Sequence, residues 1–436
     1  MDVKKSENQF CIDVLDKPGD AFFDPSRMLI YLHREKSLAK DEILKHQVYA
    51  ELVHEYTHYL QLTTTVYGIN YLLLLTDTCM RVIDHFNRNQ TSKLSAELFE
   101  KIRRIRTHQY YAEKHAAQTE EDATEGTERV LQKIEVPVER IYDSVSDSYF
   151  SITPQMLREH MAMMAYGIAR GMGIDALLVH FNETKVSPVY RLLFEKLVMN
   201  LPDQWDLRVV MYYLCELALM SNIPTVVGPR IISEFIEFAK KHASALTSAD
   251  DAMNQFLKTT WEKERVRENL DGLEKLLAPL TLWFELHSDN DGMRALAILH
   301  HRIRAGIQFR RQFPSVYKRG LGSTWLEWAV SEFGSPVVMY KGGECTLLGQ
   351  TSDDPNDLAF VLGFLHILHD FDDLSTITEC PFWRDLPICG VDPKPLSICE
   401  VNATAIEADE EGKACTLFHI LSFLGQKKKV GDRRSE

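Results

Sequence analysis

The sequence predicts a predominantly α-helical protein with a small β component, an α+β chain in which the helices dominate. Apolar residues recur at helical spacing along most of its length, whereas strand-like runs of β-branched and aromatic residues are few. The 436 residues are 45% apolar and 26% charged, the balance of a globular chain long enough for two or three domains and a large core.

Residues 27–32 read Arg-Met-Leu-Ile-Tyr-Leu, which partly alternate and are rich in β-formers, so a strand is expected there. Weaker strand patterns lie at 8–14 and 336–348. Residues 41–64 read as one long helix, with Asp41 as an early-turn acid and Ile43, Leu44, Val48, Leu52 and Tyr59 forming an apolar face. Helical patterns follow at 70–89 and 95–118. The stretch 113–129 carries Glu120, Glu121, Asp122, Glu125 and Glu128 and reads as a solvated helix end or loop. Residues 154–172 form a Met- and Ala-rich helix, with Thr153 as N-cap and Pro154 as first helical residue. Further helices are expected at 188–200, 206–221, 229–246, 249–277, 291–311, 323–333 and 355–370. Residues 287–292 read as a loop capping the helix after them, without the spaced acids of a calcium-binding EF-hand. These patterns divide the chain into 1–245, a helical region 246–340, and a cysteine-containing segment 341–436 that ends in a basic tail expected to be disordered.

The formal charge of −14 argues against general nucleic-acid binding. A basic run at His300, His301, Arg302, Arg304, Arg310, Arg311, Lys318 and Arg319 offers a surface for an acidic partner or nucleic acid, but reads first as a charged helix face balancing an acidic chain. Residues 1–7 are polar and no apolar run reaches membrane-spanning length, so a cytoplasmic chain with reduced thiols and no membrane association is expected. Cys11, Cys79 and Cys215 sit in apolar contexts as buried thiols. Cys380, Cys389, Cys399 and Cys415 could supply four thiolates to a structural zinc ion, although no C-x-x-C pair is present and Cys345 makes a fifth nearby. The alternative is a set of reduced, partly buried thiols.

The residues richest in chemistry are His54-Glu55-Tyr56-Thr57-His58. On a helix, positions i and i+4 share a face, so the two imidazoles can bind one zinc ion. Glu55 then lies near the open position, where it can take a proton from water. Tyr56 and Thr57 point off that face and are expected to pack. The flanks, Leu52 and Val53 before and Tyr59 and Leu60 after, are uncharged and bulky, as expected of a helix that carries ligands into a core.

In motif and flank this segment resembles the zincin superfamily of metallopeptidases. The preceding strand fits the resemblance, since an exposed strand edge beside the metal pairs with extended peptide in such enzymes. The metzincin continuation is absent: Gln61 stands in place of its glycine and Thr64 in place of its third histidine. The resemblance therefore implies a carboxylate third ligand, as in the gluzincin branch. Asp77 follows His58 after 18 residues, a spacing close to that of several gluzincins. Those families use glutamate in an N-E-x-x pattern that this chain lacks, and Asp is one methylene shorter. Glu159 is followed three residues on by Ala162, an E-x-x-A arrangement resembling the glutamate helix of several zincin families, in which the small residue admits the motif helix. Glu216 remains a further option, and His160 is expected in the core or behind a ligand.

The resemblance implies a zinc-dependent peptidase with Zn²⁺ on His54, His58 and a carboxylate, Glu55 as general base, and a protein or peptide substrate. A cytoplasmic peptidase must be restrained, so a regulatory protein partner and a role as a stress or antiviral-defence effector are expectations compatible with it. The competing readings are a helical scaffold with a structural histidine pair, and a zinc amidase or deacetylase acting on a small molecule.

Overall fold

The helix bearing the H-E-x-x-H string is the axis of the fold. This helix, α1 (Glu42–Thr64), is buried around almost its whole circumference from Ala50 onward. A helix apolar on all sides belongs in the middle of a protein, with neighbours on every face. The computed structural model describes residues 21–24, 29–32, 42–89, 95–98, 140–143, 148–152, 154–183, 191–202, 204–221, 224–242, 246, 248–263, 265–286, 291–313, 315, 325–340 and 345–347.

The described residues are mostly helical. After β1 (Ala21–Asp24), β2 (Leu29–Leu32) and α1 come α2 (Val66–Asn89), β3 (Arg140–Asp143), β4 (Ser148–Ser151) and α3 (Pro154–Ala169). Then follow α4 (Ile174–Glu183), α5 (Leu192–Val198), α6 (Leu207–Leu219), α7 (Pro224–His242), α8 (Ala249–Lys263), α9 (Val266–Leu286), α10 (Asp291–Gln312), α11 (Trp325–Phe333), β5 (Val337–Tyr340) and β6 (Cys345–Leu347). α3 lies between α1 and α6; α2, α10 and α11 also pack on α1.

A small sheet runs in the order β1-β2-β5-β6. β1/β2 and β5/β6 are antiparallel, and β2/β5 is parallel with Ile30 opposite Val338. Ile30, Leu32 and Val338 are buried, and Phe23 meets the ring of Tyr59 edge-on at 6.2 Å, so the sheet docks on α1. β3 and β4 form a separate antiparallel hairpin.

The parallel pair joins residues some three hundred positions apart, so the chain between them is in effect one long crossover. One apolar core runs from Phe23 to Val338, across the boundary expected at 245. Gly306 shows how close the join is: a Cβ there would lie 2.4 Å from the Thr63 carbonyl oxygen, so α10 meets the end of α1 backbone to backbone.

The expected helix at 249–277 is two helices. Arg265 adopts φ 53°, turning the chain between α8 and α9 where no glycine or proline marks a break. The helix expected from 229 begins at Pro224, whose missing amide costs nothing at the first helical position, and carries Pro229 within it, where one backbone hydrogen bond is forgone. α4, β1 and the β3/β4 hairpin had no expectation attached. The segments 8–14, 113–129 and 355–370, Cys11, and the thiols Cys380, Cys389, Cys399 and Cys415 lie outside the described residues, as do Lys318 and Arg319. Cys215 is a buried free thiol, its pKa raised by burial. No helix among the described residues is long and apolar enough to cross a membrane.

The basic run, expected as a charged helix face, is in part buried. Arg302 and Arg310 of α10 are buried. Arg310 binds Glu216 of α6 at 2.5 Å, and also reaches the Thr64 carbonyl at 3.2 Å and the Thr64 hydroxyl at 2.8 Å. It thereby closes the C-terminal end of α1, whose last carbonyls have no partner within the helix. Arg302 donates to the Ser335 carbonyl at 2.9 Å and the Tyr59 hydroxyl at 3.3 Å. Arg304, Arg311 and His301 pair with Glu274, Asp271 and Glu285 of α9. These contacts cross-link α10 with its neighbouring helices.

Candidate metal centre

α1 and α3 bring the candidate ligands together. His54 and His58 project from successive turns of α1, their ring centroids 5.0 Å apart and their planes crossing at 80°. Across the interface, α3 directs Glu159 at both. Its Oε2 lies 3.7 Å from His54 Nε2 and 3.4 Å from His58 Nε2. Ligands about 2.0–2.1 Å from a tetrahedral zinc stand about 3.4 Å from one another, so these separations have the scale of a zinc site. Glu159 Oε2 is buried and makes no hydrogen bond of normal geometry among the described residues.

Glu55 belongs to the same cluster: His54, Glu55 and His58 offer donor atoms all within 4.8 Å of one another, with Glu55 Oε1 3.9 Å from His54 Nε2. Two carboxylates therefore compete for the third coordination place. Glu159 is the better ligand, because one oxygen is near both imidazole nitrogens at once. Glu55, farther back on the histidines' own helix, is left beside the site.

Asp77 does not join this group. It is 54% exposed on α2 and is held at 2.7 Å by Arg81, one turn along the same helix. Glu216 is taken by Arg310. His160 is buried and turned toward α5, with Nδ1 donating to the Met156 carbonyl at 2.6 Å and Nε2 accepting from the Leu193 amide at 3.2 Å. That pattern needs a neutral ring, and burial accordingly lowers its pKa to about 4.

The electrostatics of the cluster are those of a site built for positive charge. Burial, together with the neighbouring ring of His58, lowers His54 to about 3. Burial alone would raise the carboxyl of Glu159, but attraction to His58, His54 and Arg158 holds it well below the usual carboxylate range. Burial would also lower His58, yet the negative charges of Glu159 and Glu55 outweigh it and raise its pKa. His54 therefore stays neutral with a free lone pair, and the first proton the group takes up resides on His58.

Local sequence explains the positioning. Ala162 is fully buried on α3, and its backbone lies close enough to His54 to act on the ring's charge. Tyr56 and Tyr59 face the other way, donating to the carbonyls of Gly334 and Phe333 at 2.7 Å, and Thr57 bonds back to Val53. Two features escaped the sequence reading. Gln61 lies behind His58, and Tyr166 of α3 stands edge-on to His54 at 6.5 Å while stacking on His180 of α4 at 5.9 Å. Tyr166 is seven residues after Glu159, on the same helix face, a spacing that could have marked it.

Searches of protein families, curated proteins and solved structures found no match to this chain.

Proposed function

We propose that this chain is a zinc-dependent hydrolase of peptide bonds, acting on a protein or peptide. The carrying observation is the convergence of His54 Nε2, His58 Nε2 and Glu159 Oε2 on one buried point, with Glu55 alongside. Those three side chains would hold the ion; three protein donors are the complement of a catalytic rather than a structural zinc, which takes four. A zinc ion bound there supplies Lewis acidity and makes water a usable nucleophile near neutral pH.

Glu55 takes a proton from the attacking water as its oxygen bonds to the scissile carbonyl carbon. It delivers that proton to the amide nitrogen as the C–N bond breaks. Tyr166, half-buried and edge-on to His54, is the neighbouring phenol suited to donate to the carbonyl oxygen as it gains charge. The side chains of His54, His58, Glu55 and Glu159 are only 6–13% exposed, so a polypeptide reaches them through a narrow opening or after a displacement of the cover. This supports a restrained protease, switched by a regulatory partner or limited to few substrates, over a general digestive one.

Metal content and cleavage test the reading together. Purified protein should carry about one zinc per chain on this centre, lost in His54→Ala. Glu55→Gln should keep the zinc and lose cleavage of an unfolded polypeptide mixture, followed by mass spectrometry of new termini. Full cleavage by Glu55→Gln would remove Glu55 as base. Zinc binding with no cleavage under any condition would favour the scaffold reading, and cleavage confined to small acyl amides would favour the amidase.

A further inference from the structure

We infer that Gln61 is the positioning residue of this centre, fixing which nitrogen of His58 is offered to the metal and tying that nitrogen to the helix that bears Glu159. The inference rests on the metal centre proposed above. Gln61 is buried one turn beyond His58 on α1. Its Oε1 lies 3.0 Å from His58 Nδ1, and its Nε2 donates to the Arg158 carbonyl at 2.9 Å.

The second bond determines the first. A backbone carbonyl can only accept, so the amide must turn its NH₂ toward Arg158. Its carbonyl oxygen is then what faces His58, and a carbonyl requires an N–H at Nδ1. A flipped amide would set two oxygens 2.9 Å apart, at the Arg158 carbonyl. Neutral His58 consequently carries its hydrogen on Nδ1, and the Nε2 lone pair is left pointing at Glu159 and His54.

Arg158 immediately precedes Glu159, so the same amide registers the two ligand-bearing turns against each other across the α1–α3 interface. A carboxylate at 61 could accept from His58 but would have no N–H for Arg158, and would add a third negative charge beside Glu55 and Glu159. An apolar residue could do neither. Glutamine has the two-ended chemistry that the position demands.

The test compares wild type, Gln61→Met, which keeps length without the hydrogen bonds, and Gln61→Glu, which keeps the acceptor alone. Histidine tautomers are read by long-range proton–nitrogen NMR of ¹⁵N-histidine-labelled, metal-free protein at a pH where His58 is neutral. Zinc affinity is read by competition with a chromogenic chelator. Wild type should show His58 as the Nδ1–H form. Gln61→Met should show a mixture and bind zinc roughly 10–100-fold more weakly. The change of tautomer is the readout that a merely structural role would not produce. Gln61→Glu should restore the tautomer, and it carries the test if Gln61→Met does not fold. An unchanged tautomer and unchanged zinc affinity in folded Gln61→Met would overturn the inference, as would an Nε2–H form in wild type. A wild type that binds no zinc yet shows the Gln61-dependent tautomer would refute the metal centre and leave the role of Gln61 standing.

Discussion

On the side of α1 that meets α3, His54, His58 and Glu159 gather around one point. On the sides that meet α10 and α11, buried polar groups are just as dense but bind one another: Arg310 with Glu216 and Thr64, Arg302 with Tyr59 and Ser335, Tyr56 with Gly334. Burial and polarity are common to both interfaces. What separates them is the donor set. Arginines set against carboxylate, carbonyl and hydroxyl oxygens tie helices together with charges of the chain's own, whereas two imidazoles and a carboxylate converging on one point are the donor types that could accept a cation.

The contrast breaks most visibly at the closed interface. Arg310→Met should destabilise the protein by about 3–5 kcal/mol, because Glu216 would remain buried without its cation. Chemical denaturation measures this as a fall in the midpoint. The paired change Arg310→Met with Glu216→Leu should recover much of the loss, since it leaves no orphaned charge. Zinc bound per folded chain should not change in either variant.

The open interface is expected to respond to metal instead. Zinc at a hundredfold excess over its dissociation constant should stabilise wild type by about 2.7 kcal/mol, read as a rise in denaturation midpoint. Glu159→Gln should lose most of that increment while remaining folded. The pH dependence has a definite sign. His54, lowered to about 3, offers its lone pair throughout the neutral range, whereas His58, raised by Glu159 and Glu55, must release a proton before it can bind. Apparent zinc affinity should therefore increase with pH and level off once the folded-state pKa of His58 is passed. An affinity that is flat across that range would show that His58 is not a ligand.

Helix positions and the motif were legible in sequence because both are local. The period of α1 and the proline at the start of α3 are written within a few residues. Glu159 could be brought forward through Ala162, three residues away on its own helix. What escaped was written between distant segments. Gln61 reads as an ordinary polar residue until its partner, the Arg158 carbonyl 97 residues on, is known. The basic run read as a charged helix face because Glu216, Glu274 and Asp271 lie on other helices. The turn at Arg265 carries no glycine, although its φ of 53° would favour one, so the break between α8 and α9 had no local signal. The pairing of β2 with β5 is likewise a long-range event, and each strand alone is only four residues.

The smallest expected effect tests where the sequence reading was most evenly divided. Asp77 and Glu159 were both eligible on spacing, and only their surroundings separate them. Asp77 is solvent-facing and satisfied by Arg81 within its own helix, the kind of exposed pair whose net contribution is often unmeasurable. Glu159 is enclosed, ionised against the pull of burial, and aimed at two imidazoles. Asp77→Ala should accordingly leave the denaturation midpoint, zinc stoichiometry and zinc affinity at wild-type values, measured beside Glu159→Gln in the same titration. A loss of zinc in Asp77→Ala with affinity retained in Glu159→Gln would reverse the assignment. It would mean that α2 swings its carboxylate inward when metal arrives, so that the open side of α1 is completed from a different helix.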